Sequence, residues 1–438
     1  MTAAGGEAAG PAGGARAEAQ RSNAASGAGE RPLRVLLINQ VFWPDVAATA
    51  QHGHDLGRYL VARGDRVTAI ASRSIYGQAG GTLPARDSVD GIEIRRVARS
   101  LFGKRGILLR AVDFGLFYVA AGWKALWLPR HDVAICFTTP PFISLLGWFL
   151  RLVKGTRWVY WVMDLYPDVP VACGVMKQGS LATRFFERVN RFCLGGADRT
   201  VVLGRCMRDR VVAKGIPESR LALINVWSDQ DEFPAIPRLE NAYRREWGIG
   251  DRFTVMYSGN FGLGHDVATM CEAARLLAED DRFRFVFVGG GKKKAEVEAF
   301  VARHQLRNAS IQPYQPRARL GELISMGDAH LVTVTPGMEG LIVPSKAYGI
   351  LAASRPLLFV GPPSCEIARV VAEERCGVAV ATGDAAGLAE AIRTLAASPA
   401  QAREMGERGR RALESRYGLG PACAAWRTLL HQVCERSR

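Results

Sequence analysis

Short apolar runs alternate with amphipathic stretches along residues 34–226, and this alternation is typical of a parallel α/β domain. Residues 34–39 (RVLLIN) predict a buried strand, which a predicted helix at 50–63 connects to a second strand at 66–70. These three elements form a βαβ unit. Four further apolar runs predict strands of the same sheet, at 92–95, 133–137, 158–162 and 199–202.

The same pattern restarts after a polar, proline-containing stretch at 229–243. It predicts strands at 253–258, 283–288, 331–334 and 356–360, and helices at 266–278, 295–304, 345–353, 384–397 and 399–417. We therefore expect two Rossmann-like domains with parallel sheets, facing a cleft at the carboxyl ends of both sheets. The expected division is a disordered tail at 1–31, a first domain at 32–228, a second domain at 229–416 and a final helix at 417–438.

The composition indicates a globular protein but does not identify its binding partner. The chain has 438 residues, 48% hydrophobic and 23% charged, which suits two globular domains. A net charge of +15 indicates anionic partners, and nucleic acid, phosphate-bearing substrates and anionic membranes all qualify. Nine cysteines without a C-x-x-C pair predict reduced thiols and no zinc site. No apolar run reaches the ~18–20 residues that a membrane span needs, and the Ala/Gly-rich start lacks a secretory signal.

The segment 331–356 (LVTVTPGMEGLIVPSKAYGILAASRP) carries the most informative chemistry. A short apolar strand leads into a turn that contains Glu339, and Pro344 then stands where a helix begins. A helix start exposes unpaired N–H groups, so the backbone of 342–346 is a candidate phosphate site, while Glu339 can accept hydrogen bonds from sugar hydroxyls. Together they suit a sugar nucleotide. The alternative is an ordinary strand–helix junction with an exposed glutamate.

This segment resembles the donor-binding signature of family-4 retaining glycosyltransferases, and more narrowly their bacterial exopolysaccharide, O-antigen and colanic-acid branch. The resemblance implies the GT-B fold, with a last helix that crosses back to the first domain. It also implies that Glu339 binds the donor sugar. The second glutamate of the wider family, which usually holds the ribose, falls at Ala347 and is missing. The positions that match the branch are Glu339, Pro344, Ser345, Lys346, Tyr348, Gly349 and Pro356.

Two glycine-rich turns follow consecutive strands of the second domain, at 258–264 (SGNFGLG) and 288–294 (VGGGKKK). Such turns let a nucleotide diphosphate approach the backbone. The resemblance places an arginine and a lysine at Asn260 and His265, so other cations must replace them; the alternative for the lysine run is a solvated surface. The donor-binding candidates are Gly259, Asn260, Gly262, Gly290, Lys292, Lys293, Ile342, Val343, Pro344, Ser345 and Lys346.

In the first domain, the loop at 40–51 (QVFWPDVAATAQ) lacks the G-x-G-x-x-G of nicotinamide-binding proteins. The resemblance places Ala47 and Ala48 where the family contacts the acceptor and the diphosphate. Asp164 follows the strand at 158–162, and the resemblance gives it a catalytic role in orienting sugar hydroxyls. The alternative is that Asp164 caps the next helix.

Two further patterns are candidate binding elements. Residues 229–231 spell D-x-D, but they fall in the interdomain linker, so we expect no metal site. Residues 95–110 mix basic and apolar side chains, which suits either a segment lying on an anionic membrane or an ordinary solvated loop and helix.

Together these patterns predict a glycosyltransferase that moves a sugar from a UDP- or GDP-sugar to a polyprenyl-diphosphate-linked polysaccharide precursor, with retention of configuration. Glu339 and Asp164 are the expected catalytic residues. We expect no cofactor and no nucleic-acid partner, and a cytoplasmic protein bound peripherally at the inner face of the plasma membrane. The alternatives are a UDP-sugar 2-epimerase of the same architecture and a non-catalytic basic protein that binds membrane or nucleic acid.

Overall fold

The computed structural model describes residues 31–75, 81–100, 107–234, 236–238 and 240–435. Most of the predicted tail, at 1–30, lies outside the described residues, as does the stretch 101–106 of the basic and apolar segment. Within the described part, no helix is both long and apolar enough to cross a membrane.

The first domain is built on a sheet of eight described strands in the order β3-β4-β2-β1-β5-β6-β7-β8. All neighbours pair in parallel except β3, which pairs antiparallel with β4. The strands are β1 Arg34–Ile38, β2 Arg66–Ser72, β3 Arg86–Val89, β4 Ile92–Val97, β5 Val133–Cys136, β6 Arg157–Trp161, β7 Arg199–Val202 and β8 Leu221–Leu223. The helices are α1 Ala48–Val61, α2 Ile107–Trp127, α3 Ser144–Lys154, α4 Asp168–Ala172, α5 Leu181–Gly196 and α6 Arg205–Ala213.

The second domain contains six described strands in the order β11-β10-β9-β12-β13-β14, all parallel. The strands are β9 Phe253–Asn260, β10 Phe283–Gly290, β11 Ala309–Gln312, β12 Ala329–Thr333, β13 Leu357–Val360 and β14 Gly377–Val380. The helices are α7 Ala242–Glu246, α8 Ala268–Leu276, α9 Lys294–Arg303, α10 Leu320–Met326, α11 Lys346–Ala352, α12 Glu366–Glu374, α13 Ala385–Ala397 and α14 Pro399–Ala412, and a last helix, α15 Leu419–Glu435, follows them in the chain. Two parallel α/β domains are therefore present, which confirms the predicted fold class.

Local sequence explains where several helices begin and end. The Ser180 hydroxyl accepts a hydrogen bond from the Thr183 amide and so caps α5, and the Asp384 carboxylate caps α13 in the same way. Gly155 adopts the left-handed conformation, with φ 64°, and ends α3. The helix predicted at 399–417 is an exception, because α14 ends at Ala412 and a π-helical turn at Leu413–Tyr417 follows.

The last helix belongs to the core of the first domain. Trp426 of α15 packs against Trp161 of β6 with ring centroids 4.5 Å apart. Arg427 forms a buried ion pair with Asp65, Nε to Oδ2 3.1 Å, and the other oxygen of Asp65 accepts a hydrogen bond from the Leu33 amide. The chain therefore passes between the domains twice.

A second contact joins the domains at the start of α6. Glu366 of α12 is buried and accepts hydrogen bonds from the backbone N–H of Arg205 at 2.6 Å and from its guanidinium. A side chain on Gly204 would meet Glu366 at 2.8 Å, so the two elements approach closely. These contacts hold the carboxyl edges of the two sheets toward one another.

Candidate functional site

The two glycine-rich turns lie side by side at the carboxyl edge of the second sheet. Gly259 and Gly289 are paired in register between β9 and β10, with φ 139° and 137°. These backbone conformations favour glycine, and a Cβ on Gly289 would clash with the carbonyl oxygen of Gly259. The edge is therefore bare backbone, which allows a ligand to approach closely.

The remaining turn residues surround this bare edge. Asn260 is exposed at the end of β9, and its side chain lies close to Gly262 and Gly291. Tyr314 lies over Gly290, and its hydroxyl donates a hydrogen bond of 3.4 Å to the Gly290 carbonyl. The exposed ring of Tyr314 thus borders the predicted donor site. The sequence patterns did not single out this residue.

Glu339 lies in the loop between β12 and α11, and this loop is fixed to the first domain. Arg210 of α6 donates hydrogen bonds to the backbone carbonyls of Glu339 and Gly337. Gly340 has φ 74°, and a Cβ there would meet the Cys206 carbonyl at 2.5 Å. The Glu339 carboxylate is left with Oε2 shielded from solvent and without a hydrogen-bond partner. A buried acceptor of this kind is costly unless a ligand supplies the donor.

Lys346, the first residue of α11, directs its ammonium toward the glycine-rich edge. Nζ lies 3.6 Å from the centre of the Tyr257 ring, and a Cβ on Gly259 would meet it at 3.2 Å. The residue as a whole is half-buried, but Nζ is shielded and has no hydrogen-bond partner. Burial lowers the pKa of Lys346 from 10.5 to about 7. An anion beside Gly259 would supply the missing partner.

His265 is held as a neutral side chain beside this lysine. Its Nδ1 lies 2.7 Å from the Thr333 carbonyl, and burial, followed by the charge of Lys346, lowers the pKa of His265 to about 4. Lys293 donates a hydrogen bond of 2.7 Å to the His265 carbonyl, so its ammonium fastens the first turn. Lys292 is exposed. Of the three lysines predicted to hold a diphosphate, Lys346 is the one whose ammonium is buried without a partner at the bare edge.

The residues that lead into α11 form the wall beside Glu339. Pro344 is buried, and Ile342, Val343 and Ser345 are half-buried. Ile342 lies against the first glycine-rich turn, where a Cβ on Gly264 would meet its Cδ1 at 3.0 Å. This contact brings the predicted donor-binding segment to the two turns.

Asp164 follows β6 at the facing edge of the first domain. The next residue, Leu165, donates a backbone hydrogen bond of 3.1 Å to the Leu341 carbonyl, so the Asp164 segment touches the Glu339 loop. Burial raises the pKa of Asp164 to about 6. The structure gives no support to a capping role, because α4 begins at Asp168 and is flanked by Pro167.

The loop after β1 brings Ala47 and Ala48 to the start of α1. Ala47 is half-buried and its N–H donates to the Asp45 carboxylate at 2.9 Å, while Ala48 is exposed. The D-x-D triplet lies elsewhere, where the Asp229 carboxylate accepts a hydrogen bond from the Asp231 amide. Among the described residues, no group of three His, Cys, Asp or Glu side chains is placed to hold a metal ion.

Besides Tyr314, sequence reasoning missed two residues that shape the site. Tyr257 lies within an apolar run that predicts only a core strand, yet its ring supports the Lys346 ammonium. Arg210 is 129 positions away from Glu339 in sequence and carries no motif. Periodicity could show that Tyr257 is buried, but no sequence signal pairs Arg210 with the Glu339 loop.

Two family models match the chain. The model described as "Glycosyl transferase 4-like domain" matches residues 48–227, and "Glycosyl transferases group 1" matches residues 240–412. One similar protein is "Probable glycosyltransferase WbjE" of Pseudomonas aeruginosa, 31% identical over 265 residues, or 60% of this chain and 66% of the relative. Another is "Putative colanic acid biosynthesis glycosyl transferase WcaI" of Escherichia coli K12, 25% identical over 338 residues, or 73% and 81% of the two chains.

Solved structures share the fold at low sequence identity. Sucrose-phosphate synthase from Thermosynechococcus elongatus superposes with a TM-score of 0.73 at 17% identity, covering 93% of this chain and 100% of that one. HepE of Anabaena, solved in complex with UDP-glucose, gives 0.67 at 13% identity and covers 91% and 99%. WaaG, described as a glycosyltransferase involved in lipopolysaccharide biosynthesis, gives 0.62 at 19% identity and covers 89% and 98%. The two-domain architecture is the GT-B fold of such enzymes.

Proposed function

This chain belongs to the glycosyltransferase family defined by the 4-like and group 1 domains, and from that premise we propose that it transfers a sugar from a nucleoside diphosphate sugar to a polysaccharide precursor. The acceptor in this proposal is carried on a polyprenyl diphosphate, and the configuration at the transferred carbon is retained. The enzyme works in peripheral contact with the inner face of the plasma membrane.

The names of the similar proteins support the donor and the pathway class. WcaI is named for colanic acid biosynthesis, and HepE was solved with UDP-glucose. The ammonium of Lys346 is buried at the carboxyl edge of the second sheet without a hydrogen-bond partner. The negative charge of a nucleoside diphosphate would supply that partner. We therefore assign a UDP- or GDP-sugar to this edge.

The observation that carries the proposal is a pair of shielded polar atoms without hydrogen-bond partners, one at the bare backbone and one in the neighbouring Glu339 loop. Lys346 Nζ lies against Gly259, and Glu339 Oε2 is shielded in the neighbouring loop. An ammonium suits a diphosphate, and a carboxylate suits sugar hydroxyls. The two groups match the two ends of one nucleotide sugar.

The chemistry needs no nucleophile from the protein. The leaving diphosphate takes the proton of the incoming hydroxyl on the same face of the sugar, while the protein orients both sugars and stabilises charge. In this scheme Lys346 and the backbone at 342–346 hold the diphosphate, with Gly259 and Gly290 leaving room for it. Asp164 orients sugar hydroxyls from the facing domain.

Ligand-dependent thermal unfolding tests the donor. A ligand at ~100 times its dissociation constant adds about 2.7 kcal/mol to the free energy of unfolding. We expect one nucleoside diphosphate, and its sugar conjugate, to raise the unfolding temperature, and NADH to leave it unchanged. Stabilisation by NADH alone, or by none of the nucleotides, would contradict the proposal.

Glu339→Gln tests the sugar-binding role. We expect sugar transfer to fall by at least about two orders of magnitude, because the amide removes the charge that strengthens hydrogen bonds to hydroxyls. UDP-induced stabilisation should persist, and Glu272→Gln on the surface of α8 serves as the control. Full activity of the variant would overturn the assignment. A UDP-sugar converted to its epimer without any acceptor would identify the epimerase alternative instead.

A further inference from the structure

The outward side of α2 is apolar over most of its described length. Apart from Arg110, every exposed side chain described on this helix is apolar or small. Val119, Trp123 and Trp127 are 74%, 64% and 72% exposed. A surface helix normally turns polar residues to water, so this pattern runs against expectation. The full set is Leu109, Arg110, Ala111, Val112, Gly115, Leu116, Val119, Trp123 and Trp127.

The opposite side of α2 already serves the core. Phe117, Ala121 and Ala125 are buried against the sheet and against α3. The helix is thus apolar on two sides, and its outward side has no neighbour among the described residues that covers it. A groove of ≈ 430 Å³ opens on this side, lined by Ala98, Arg99, Leu116, Val119, Ala120 and Trp123. Contiguous exposed apolar surface of this extent marks an interaction site.

The neighbouring helices α3 and α5 extend the same surface. Trp148 of α3 meets Phe192 of α5 with ring centroids 5.6 Å apart, and both rings are partly exposed. Leu152 on α3 and Phe185 on α5 are exposed as well, and Leu181 at the start of α5 is 84% exposed. We call the outward sides of α2, α3 and α5 the outer face.

The charge of the outer face is positive. The three helices carry two acidic residues, and both are engaged: Asp113 is buried and accepts from the Ser100 hydroxyl, and Glu187 is held by Lys214 and Arg191. The helices also carry seven basic residues. Three of these are engaged, since Arg151 pairs with Asp198, Lys154 donates to two backbone carbonyls and Arg191 pairs with Glu187. The other four are Arg110, Lys124, Arg184 and Arg188. The exposed charge that remains is cationic and lies among apolar side chains.

We propose that the outer face of α2, α3 and α5 lies on an anionic lipid bilayer, with the apolar side chains of α2 inserted at the level of the headgroups. Tryptophans beside arginines are typical of a surface that sits in this interface. A second copy of the chain fits less well, because two outer faces would bring arginines against arginines. The inference rests on the proposed function in one respect: the membrane contact would bring the enzyme to a lipid-linked acceptor.

The direction of α2 gives the orientation on the membrane. A helix between parallel strands runs opposite to them, so α2 begins near the carboxyl edge of the sheet, where the cleft lies. From Leu109 to Trp127 the outward side extends ~27 Å at 1.5 Å per residue. With α2 flat on the bilayer, the cleft opens beside the headgroups, within reach of a diphosphate attached to a membrane lipid.

Vesicle sedimentation of the full chain tests the inference without any sugar donor. The probe is phosphatidylcholine vesicles with roughly one third phosphatidylglycerol, compared with pure phosphatidylcholine, at about 0.1 M and about 0.5 M salt. We expect binding to the anionic vesicles that weakens with salt. Val119→Glu combined with Trp123→Ala should lower the partition coefficient on the order of tenfold. Leu276→Glu, at an exposed leucine of the second domain, should leave it within about twofold.

Two double variants with the same change in net charge distinguish binding through the cationic outer face from binding through the net charge of the whole chain. We expect Arg184→Glu with Arg188→Glu to weaken binding strongly, and Arg303→Glu with Arg307→Glu, exposed in the second domain, to weaken it far less. Equal effects of the two pairs, no binding by the native chain, or a dimer that Val119→Glu dissolves would overturn the inference. UDP-induced stabilisation measured on the same variants reports on the donor site separately. A variant that loses vesicle binding but keeps nucleotide binding is therefore altered in the outer face and not in the donor site.

Discussion

Replacing Lys346 with methionine should make the free protein more stable while removing its affinity for the donor. Methionine keeps the straight apolar chain against Tyr257 but removes the buried ammonium. The pKa of Lys346 is lowered from 10.5 to about 7 by burial. At 1.36 kcal/mol per pKa unit, this shift corresponds to about 5 kcal/mol against the charged form in the folded state. Attraction to the Tyr257 ring offsets about 1–2 kcal/mol, which leaves roughly 3 kcal/mol.

The pH dependence of this effect has a definite sign. Between pH 7 and pH 10.5 the unfolded chain holds the Lys346 proton and the folded chain releases it, so the unfolded state binds more protons. The stability of the native protein therefore rises with pH in this window, by up to about 1.4 kcal/mol per pH unit from this group. The advantage of Lys346→Met should be largest at and below pH 7 and should vanish as the pH approaches 10.5.

Urea unfolding at pH 7, 8 and 9, with and without UDP, measures both consequences. We expect Lys346→Met to unfold at higher urea than the native protein at pH 7 and to lose the UDP-induced gain at every pH. Lys292→Met is the matched control, since Lys292 is exposed, and it should stay within about 0.5 kcal/mol of the native protein. A variant less stable than the native protein at pH 7 would refute the reasoning, because it would mean that the ammonium is satisfied in the free protein.

Three other outcomes are expected. Gly259→Ala should lower donor affinity at least about tenfold in titration calorimetry, because the φ of Gly259 is 139° and the added methyl would press on the buried ammonium of Lys346. Gly383→Ala is the control: with φ 87° and open space around the residue, it introduces backbone strain without a steric contact and should leave donor affinity unchanged. The rate of sugar transfer should fall as the pH drops through about 6, because Asp164 becomes protonated there. If Asp164→Asn shows the same loss of rate at low pH, that loss must come from another group. In urea unfolding, Arg427→Met should lower the free energy of unfolding by about 3–5 kcal/mol, because the buried carboxylate of Asp65 loses its ion-pair partner. Arg416→Met, at an exposed ion pair, should lower it by less than about 1 kcal/mol. Equal losses in the two variants would contradict the placement of the last helix in the core of the first domain.

The fold was predictable wherever strands are buried on both sides. All ten strands expected from apolar runs are present within two residues of their predicted ends. The strands that were missed are β3, β8, β11 and β14, which lie at the edges of the two sheets. Edge strands such as Arg86–Val89 (RDSV) and Ala309–Gln312 (ASIQ) are partly exposed, so their sequences carry no continuous apolar run.

The candidate site was predictable only as far as local sequence encodes it. The turn with Glu339 and the glycine-rich turns follow strands of one sheet, and parallel topology alone brings them to one edge. Which lysine points inward is a different matter, because Lys292 and Lys293 are adjacent in sequence and yet one is exposed while the other fastens a loop. Such distinctions depend on packing between distant residues, which periodicity does not record.

The position of the last helix sets an order of events during synthesis. Residues 34–223 contain every described strand of the first sheet, but Trp426 and Arg427, which complete that core, are separated from them by the whole second domain. At 5–20 residues per second, the ribosome needs roughly 10–40 s to reach them after the first sheet has been made. During that interval Asp65 lacks its arginine and Trp161 lacks its neighbouring ring. The first domain to emerge is therefore the last to be finished.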